Sequence, residues 1–196
     1  MSAARYRCHV ITANQRPEDS TARLGLYRPV QDDSADLYQI LSDPAVWAHY
    51  PSLRHTDPDQ TARWVASWVW AWERDGLGTW IARDPGTDAV LGYGGCWLRN
   101  GTVWNLGYRF APAAQGRGLA TELARKATDR ANTTLPAVPV VAYLLEHNRA
   151  SAAVAEKLGM QLVDRGPDQR NPDRAAMRLI YADRELTDAQ LMVARG

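Results

Sequence analysis

The spacing of hydrophobic and polar positions divides the chain into two parts with different periods. The first part, residues 23–110, contains strand-like segments bounded by turn signals, and residues 23–30 alternate apolar and polar positions as in a β-strand with one buried face. The second part, residues 112–181, alternates helical and strand-like segments. This pattern predicts antiparallel strands first and a β-α-β unit afterwards, within one mixed sheet.

The first part predicts four strands, with two helices inserted after the first of them. A short helix begins after Asp32 and Asp33, and a longer helix covers residues 57–75. Turn signals at residues 84–87 and 99–101 separate the later strands into an antiparallel meander. The four predicted strands are residues 23–30, 79–83, 90–98 and 102–110.

Three tryptophans lie four residues apart in the longer predicted helix. Trp64, Trp68 and Trp72 therefore share one helical face. Such a row is typical of a hydrophobic core, because each indole buries a large area, but it can also line a substrate pocket. Both interpretations stay open at the level of the sequence.

The second part of the chain predicts helices that alternate with strands. Segment 138–145 is apolar on both faces, which is typical of a strand that helices cover on each side, so we expect it at the centre of the sheet. The other predicted elements are helices at 118–131, 150–158 and 183–195 and strands at 161–165 and 175–181. Together the segments predict a mixed α/β sheet of about seven strands, antiparallel in its N-terminal half and flanked by helices. We expect the parallel pair to contain the strand at 102–110.

Composition and charge narrow the range of partners. The chain has 196 residues, of which 45% are hydrophobic, and a formal net charge of +1. This predicts one domain over residues 21–196, preceded by a polar arm over residues 1–20 in which residues 6–11 form a candidate edge strand. The near-neutral charge argues against a basic nucleic-acid-binding face, and no apolar stretch is long enough to span a membrane.

The N-terminal residues and the cysteines carry expectations about compartment and metal binding. Residues 1–20 lack the apolar core of a secretory signal, so we expect a cytoplasmic protein. Cys8 and Cys96 lie far apart and have no histidines at metal-ligand spacing, so we expect free thiols and no metal site. The expected partners are therefore small molecules.

A glycine-rich turn between the predicted strand 102–110 and the predicted helix 118–131 is the strongest candidate for a binding site. Unpaired backbone N–H groups and the positive end of a helix dipole converge at such a turn, where a diphosphate can bind. Gly116 and Gly118 would let the phosphate oxygens approach the backbone, because neither residue carries a side chain. Glycines in this pattern can also serve only as a turn and a helix start.

Two other nucleotide-binding motifs do not fit this turn. A P-loop requires Gly-Lys-Ser/Thr, whereas Gly118 is followed by Leu119 and Ala120. A dinucleotide-binding fold places its glycines in an early β-α-β unit, whereas these glycines follow antiparallel strands. The sequence around the turn therefore indicates a different kind of phosphate-binding site.

Two segments of the chain resemble a known family. Residues 115–120, Gln-Gly-Arg-Gly-Leu-Ala, resemble the acetyl-CoA pyrophosphate signature of the GNAT N-acetyltransferase superfamily, Q/R-x-x-G-x-G/A. Residues 106–122 as a whole resemble its ribosomal-protein N-terminal acetyltransferase subgroup. Residues 148–160 support this, because they resemble the subgroup's N-x-x-S-x-x-V-x-E-K-x-G-F, with Met160 in place of Phe.

The resemblance implies a fold, a cosubstrate and a reaction. The GNAT fold has a central parallel pair of strands that splay apart, and the pantetheine of acetyl-CoA inserts between them. The implied reaction transfers the acetyl group to a primary amine, at a protein N-terminus or on a small molecule, by direct attack on the thioester. We accordingly expect a monomer or a homodimer. The alternative is a non-catalytic acyl-CoA-binding or regulatory protein that keeps the GNAT fold.

The resemblance also implies roles for individual residues. A main-chain N–H near Tyr108 would face the thioester carbonyl, and the Ser151 hydroxyl is a candidate donor to the departing thiolate. Asn148 is either a pantetheine ligand or only the N-cap of the next helix, and Ser151 is either the donor or a small first-turn residue. The implied cofactor-binding residues are Arg109, Phe110, Gln115, Gly116, Arg117, Gly118, Leu119, Ala120, Thr121, Asn148 and Ser151.

Two positions depart from the family pattern of proton-transfer groups. Many GNAT enzymes have a tyrosine where this chain has Ala155, and the subgroup often has a glutamate where it has Asn105. An amine with a low pKa, such as a peptide N-terminus at about 8, needs no base because part of it is uncharged at neutral pH. The remaining candidate proton carriers are His49, Tyr143, Glu146 and His147.

Overall fold

The computed structural model describes residues 16–196, which form one mixed eight-stranded sheet with five α-helices. The strands are β1 (Asp19–Ser20), β2 (Gly25–Tyr27), β3 (Thr79–Arg83), β4 (Val90–Arg99), β5 (Val103–Phe110), β6 (Val140–Leu145), β7 (Gln161–Pro167) and β8 (Met177–Ala182). The helices are α1 (Ser34–Leu41), α2 (Pro58–Asp75), α3 (Leu119–Thr134), α4 (Arg149–Lys157) and α5 (Asp188–Arg195).

The strands lie in the order β1-β2-β3-β4-β5-β6-β8-β7. Strands β1 to β5 pair antiparallel, β5 and β6 pair parallel, and β8 pairs antiparallel with both β6 and β7. This confirms the predicted mixed sheet and its antiparallel N-terminal half. The central parallel pair contains the strand that precedes the glycine-rich turn, as predicted.

The sheet has one strand more than predicted. Asp19 and Ser20 form β1, which pairs with Leu26 and Gly25 of β2 at the edge of the sheet. A polar strand of two residues carries no alternation of apolar and polar positions, so the hydrophobic pattern does not indicate it. The predicted edge strand at residues 6–11, together with Cys8, lies outside the described residues.

Helix α2 lies where the sequence predicts a helix, and both of its ends are capped. The Asp57 carboxylate accepts a hydrogen bond from the Asp59 N–H (3.0 Å), and Pro58 occupies the first turn. Gly76 ends the helix with a φ of 68°, the left-handed conformation that glycine adopts without a steric penalty. These caps fix the helix that carries the tryptophan row.

Apolar side chains cover both faces of the sheet. One face carries Trp104 and Leu106 of β5 and packs beneath α3 and α4 in the largest core cluster. The opposite face carries Ile81 and Tyr93 beneath α1 and α2, and Val103 beneath α5. The sheet therefore separates the helix that follows the glycine-rich turn from the helices near the start of the chain.

The tryptophan row of α2 packs mainly in the core. Trp72 is buried, and its indole N–H donates to a main-chain carbonyl of β3 (2.8 Å). Trp64 and Trp68 are half-buried and continue a run of aromatic contacts from Trp47 to Tyr93. Of the two interpretations of this row, the contacts support the core.

Gly95 lies where two strands approach too closely for a side chain. A Cβ atom there would be 2.2 Å from the carbonyl oxygen of Gly78 and 2.9 Å from Cα of Thr79. We expect Gly95→Ala to lower the free energy of unfolding by about 1–3 kcal/mol, because backbone atoms must shift. Gly166→Ala is the control, since no described atom lies within 4 Å of a Cβ there, and it should change stability by less than about 0.5 kcal/mol. Urea unfolding measures both variants, and equal midpoints would contradict the prediction.

Candidate active site

Strands β5 and β6 separate soon after they begin to pair. Within the described residues, their parallel pairing covers only Trp104 with Val140 and Asn105 with Val141. Both strands continue to their ends beyond these pairs, so a wedge-shaped gap opens between their C-terminal halves. This confirms the predicted splayed pair in the middle of the sheet.

Main-chain groups of β5 point into this gap. The Trp104 N–H donates to the carbonyl of Pro139, the residue before β6 (2.9 Å), whereas the Ala111 N–H donates to the carbonyl of Leu91 in β4 (2.9 Å). Successive residues of a strand direct their N–H and C=O groups to opposite edges, so Tyr108 and Phe110 share the direction of Trp104. Their N–H groups therefore face the space between the diverging strands.

The glycine-rich turn lies at the open end of this gap, between β5 and α3. Gly116 and Gly118 have φ values of 72° and 79°, in the left-handed region that glycine adopts without a Cβ penalty. The backbone conformation is thus what requires glycine at both positions. No described atom lies within 4 Å of a Cβ built on Gly116, and residues 115–118 are exposed, so the turn is open to a ligand.

The turn and the start of α3 leave several N–H groups without carbonyl partners. The Gln115 N–H donates to Pro112, and the first main-chain bond into α3 runs from the Glu122 N–H to the Gly118 carbonyl (3.1 Å). The N–H groups of residues 119–121 belong to the first helical turn, which has no carbonyl one turn earlier. With the positive end of the α3 dipole, these N–H groups suit an anion.

The Gln115 side chain connects the turn to the gap. Its Nε2 donates to the carbonyl of Phe110 (2.9 Å), the last residue of β5. This bond holds the open N–H groups of the turn beside the unpaired main chain of β5. The two parts of the candidate site therefore form one continuous surface.

Tyr108 and Ser151, the two predicted catalytic residues, lie side by side. Ser151 lies in the first turn of α4, close enough for its hydroxyl to act on the Tyr108 phenol. Burial raises the pKa of Tyr108 to about 12, and the nearby Ser151 hydroxyl opposes that rise only in part. Both hydroxyls therefore keep their protons at neutral pH and can donate hydrogen bonds into the gap.

Asn148 is the N-cap of α4, which is one of the two roles considered for it. Its Oδ1 accepts a hydrogen bond from the Ser151 N–H (3.2 Å). The cap fixes the first turn of α4 and, with it, the position of the Ser151 side chain. Asn148 thus supports the hydroxyl pair even before any role toward a ligand is considered.

Asn105 lies where β5 and β6 separate, on the face of the sheet opposite Tyr108. Its cross-strand partner on β4 is Trp97. The Trp97 indole also covers Gly107, because a Cβ atom on Gly107 would lie 2.6 Å from the ring. Asn105 is 2% exposed, and its Oδ1 has no hydrogen-bond partner within the described part of the chain. An unpaired acceptor and an aromatic surface therefore border the gap on this second face.

The loop after α1 crosses the second face and contacts both walls of the gap. Arg109 of β5 donates to the Val46 carbonyl (2.9 Å) and stacks over the Trp47 ring (3.6 Å). The Nε2 atom of His147, in the loop after β6, lies 2.9 Å from the carbonyl oxygen of His49. The loop thus joins the end of β5 to the end of β6 on the side away from α3.

Two of the candidate proton carriers have opposite environments. The pKa of His49 is lowered to about 4, mainly by burial and further by the nearby Arg109 and His147. Its imidazole is therefore neutral at pH 7. Glu146 instead pairs with Arg165 on the surface (2.7 Å), and this hydrogen bond lowers the pKa of its carboxyl. Neither group is poised to exchange a proton near neutral pH.

Tyr143 lines the β6 side of the second face. Its ring is exposed and lies beneath the guanidinium groups of Arg178 (4.8 Å) and Arg99 (5.8 Å). Arg178 also pairs with the buried carboxylate of Asp168 (2.8 Å). The second face of the gap is therefore aromatic and cationic.

Comparison with known proteins agrees with this geometry. Residues 23–161, more than half of the chain, match the family model described as acetyltransferase (GNAT) domain. This chain belongs to the GNAT acetyltransferase family. The uncharacterised protein YkkB of Bacillus subtilis (strain 168) is 35% identical to it over 152 residues, which cover 75% of this chain and 87% of YkkB.

Solved GNAT structures share the fold. A GNAT-family acetyltransferase from Bacillus anthracis matches with a TM-score of 0.70 at 19% identity, covering 83% of this chain and 95% of that one. RimL, a ribosomal L7/L12 alpha-N-protein acetyltransferase solved with coenzyme A, matches with a TM-score of 0.70 at 17% identity, covering 90% and 99%. At such identities these matches establish the fold alone, and the predicted GNAT fold is confirmed.

Residues 16–196 of this GNAT chain contain neither a helix that could span a membrane nor a cluster of metal-binding side chains. None of its helices there is long and apolar enough to cross a membrane. No group of three or more His, Cys, Asp or Glu side chains in this range could hold a metal ion. Cys96 is a buried free thiol, and burial raises its pKa.

The sequence pattern does not indicate the side-chain contacts that Arg23, Glu122 and Arg109 make in the GNAT site. Arg23 pairs with Glu122, 99 residues away, and Arg109 bonds to the loop after α1, 63 residues away. Each contact joins residues far apart in the sequence, so only the fold brings the partners together. Arg109 was expected among the cofactor-binding residues, whereas its side chain lies on the second face and its main chain faces β4.

His49 makes the stability of the fold depend on pH. Its pKa is about 4 in the folded chain and 6.5 for a free side chain, so the unfolded chain binds more protons between these values. Its contribution is therefore complete above pH 6.5 and is lost as the pH falls toward 4. We expect His49→Gln to flatten this dependence. Urea unfolding across this range measures it, and a slope unchanged from the wild type would contradict the prediction.

Proposed function

We propose that this protein is an acetyl-CoA-dependent N-acetyltransferase in which a primary amine attacks the thioester directly. The observation that carries the proposal is the continuity of the β5–β6 gap with the glycine-rich turn. A gap lined by main-chain groups suits an extended pantetheine arm, and an electropositive turn at its end suits a diphosphate. Coenzyme A carries both groups in one molecule.

The cosubstrate is held mainly by the main chain in this proposal. The N–H groups of residues 116–121 bind the diphosphate, and the Tyr108 carbonyl and the Phe110 N–H hydrogen-bond the pantetheine. Gln115 keeps the two regions adjacent through its bond to the Phe110 carbonyl. Because main-chain groups make most of these contacts, the signature at residues 115–120 needs few specific side chains.

Two predicted cofactor-binding residues enter the proposal in different ways. Asn148 uses Oδ1 for its cap, which leaves its amide nitrogen to bond the pantetheine arm. Arg109 belongs to the second face, because its guanidinium holds the loop at Val46 and Trp47. We therefore assign Arg109 to the acceptor side of the site.

The proposed reaction forms a C–N bond and breaks a C–S bond. The acceptor nitrogen attacks the thioester carbonyl, and the Tyr108 N–H stabilises the developing oxyanion, an interaction typically worth about a hundredfold to a thousandfold in rate. As the tetrahedral intermediate collapses and the C–S bond breaks, the Ser151 hydroxyl, which lies beside the Tyr108 phenol, donates a proton to the departing thiolate and regains one from water. Water takes the proton that the amine releases.

The acceptor amine enters uncharged in this mechanism. Asn105 and Ala155 cannot accept a proton, and His49 is neutral but only a weak base. Arg99 and Arg109 on the second face disfavour an ammonium ion. The amine of a protein N-terminus, with a pKa of about 8, meets this requirement better than a lysine amine at about 10.4.

A protein N-terminus or a small-molecule primary amine is the acceptor class that these features favour. The resemblance of residues 106–122 and 148–160 to the ribosomal-protein subgroup supports the first of these. The aromatic surface formed by Trp97 and Tyr143 suits an apolar group next to the amine.

A second candidate function is non-catalytic acyl-CoA binding, which Asn105 and Ala155 favour because both lack a proton-transfer group. The two functions differ in thiol release from acetyl-CoA across amines with pKa values from about 5 to about 10. Release with the weakly basic amines supports the acetyltransferase. CoA binding without release for any amine supports the alternative.

Gly118→Glu should abolish CoA binding. The new carboxylate repels the diphosphate, and its side chain occupies the turn. Gly101→Glu is the control, because Gly101 lies in the turn at the other end of β5 and has a similar positive φ, 69° against 79°. Calorimetry with CoA should show wild-type affinity for the control and no binding for Gly118→Glu. Micromolar binding by Gly118→Glu would rule out the proposed diphosphate site.

Ser151→Ala and Tyr108→Phe should separate binding from chemistry. Each removes one hydroxyl near the thiolate, so we expect turnover to fall by about a hundredfold while the Kd for CoA changes little. Thr128→Val is the control, since its hydroxyl bonds only the Ala124 carbonyl within α3 (2.9 Å). Thiol-release kinetics and calorimetry measure the two effects. Wild-type turnover in both variants would remove this pair from the mechanism.

A further inference from the structure

Arg23 joins a segment near the start of the chain to the glycine-rich turn. Its Nη1 donates to the carbonyl of Arg117 (2.7 Å), and its Nε donates to Glu122 Oε2 (2.7 Å). Its main-chain N–H donates to Glu122 Oε1 (2.9 Å), and the Thr21 hydroxyl donates to the same oxygen. One arginine thus spans the turn and the first turn of α3.

The bond to Arg117 sets the direction of the next N–H group. In a trans peptide, the carbonyl of one residue and the N–H of the following residue point in opposite directions. Because the Arg117 carbonyl points to Arg23, the Gly118 N–H points away from it, toward the other side of the turn. Glycines on both sides of Arg117 leave this peptide few other restraints.

The ion pair also compensates a charge that opposes anion binding. Glu122 lies in the first turn of α3, where the helix dipole favours a carboxylate but a nearby diphosphate would be repelled by it. The Arg23 guanidinium lies 2.7 Å from this carboxylate. The start of α3 therefore carries no uncompensated negative charge from Glu122.

Attachment of the N-terminal segment to α3 does not depend on Arg23 alone. Lys126 pairs with Asp19 (2.8 Å), and Arg130 lies 3.4 Å from Glu18, both further along the helix. These contacts hold β1 against α3 away from the turn. Among the described contacts of this segment, those of Arg23 reach the turn itself.

We propose that Arg23 is a positioning residue for the diphosphate-binding turn. It orients the Gly118 N–H through the Arg117 carbonyl and cancels the charge of Glu122, without touching the cosubstrate. This inference rests on the proposed function for the identity of the ligand, but the geometry of the turn depends on Arg23 whether or not CoA is the ligand.

The binding test compares Arg23→Gln with Arg28→Gln. Arg28 pairs with Glu18, and both arginine side chains are 49% exposed in their ion pairs, so each variant loses one equally exposed arginine. Arg23→Gln should weaken CoA binding by about tenfold, the effect of one lost charged hydrogen bond, whereas Arg28→Gln should not. Arg23→Lys should weaken it similarly, because an ammonium group cannot reproduce the planar fork that reaches both acceptors.

Kinetics and hydrogen exchange separate positioning from other roles. In Arg23→Gln the KM for acetyl-CoA should rise while kcat at saturation stays near the wild-type value. Without ligand, amide exchange at Glu122, whose N–H donates to the Gly118 carbonyl of the turn (3.1 Å), should accelerate in Arg23→Gln but not in Arg28→Gln. This readout tests Arg23 even if the wild type fails to bind CoA, an outcome that would refute the proposed function instead.

Four results would overturn the assignment of Arg23. They are wild-type CoA affinity in Arg23→Gln, an equal loss of affinity in Arg28→Gln, full affinity in Arg23→Lys, and unchanged amide exchange at Glu122 in Arg23→Gln. The third would show that charge alone matters, and the second that any exposed arginine near this segment has the same effect.

Discussion

The early separation of β5 and β6 is the constraint on which the rest of the structure depends. Neighbouring strands inside a sheet normally satisfy each other's main-chain groups, but this pair stops at Asn105 and Val141 within the described residues. An N–H left unpaired in a buried place costs about 1–3 kcal/mol, so the groups beyond that point favour a ligand that completes the ladder. An extended molecule with amide groups can take the place of the missing strand. The gap thus selects the shape of its ligand before any side chain contributes.

The sheet divides the chemistry between its two faces. On the face of α3 and α4, the glycine-rich turn and the Tyr108–Ser151 pair provide N–H and O–H donors, which suit phosphate oxygens, an oxyanion and a thiolate. The other face has aromatic rings and arginines. The buried side-chain oxygen of Asn105, Oδ1, adds an unpaired acceptor to that face. Two reactants could therefore approach the gap from opposite sides. The donors for the leaving group and the surface for the amine are then held apart by the strands themselves.

Periodic patterns and turn signals predicted most of the fold, because each depends on neighbours in sequence. The end of the strand 79–83 follows from the turn signal at residues 84–87, and the start of α2 follows from the proline in its first turn. The contacts that shape the site depend instead on the fold. The pair of Arg23 with Glu122 joins two charged surface residues 99 positions apart, and β1 has too few residues for a pattern. At the level of the sequence, the close approach of phosphate oxygens to the backbone explains Gly116 and Gly118. The structure adds a second requirement for glycine at both positions, because each residue has a positive φ.

In the proposed function, the main-chain N–H groups of β5 and of the turn bind coenzyme A directly. Backbone amide chemical shifts, followed by NMR during a titration with CoA, test this residue by residue. The amides of Tyr108, Phe110 and residues 116–121 should shift together at one common affinity, while amides of the β4–β5 turn at residues 100–102 stay in place. Saturable CoA binding that leaves the Tyr108, Phe110 and turn amides unmoved would contradict the account.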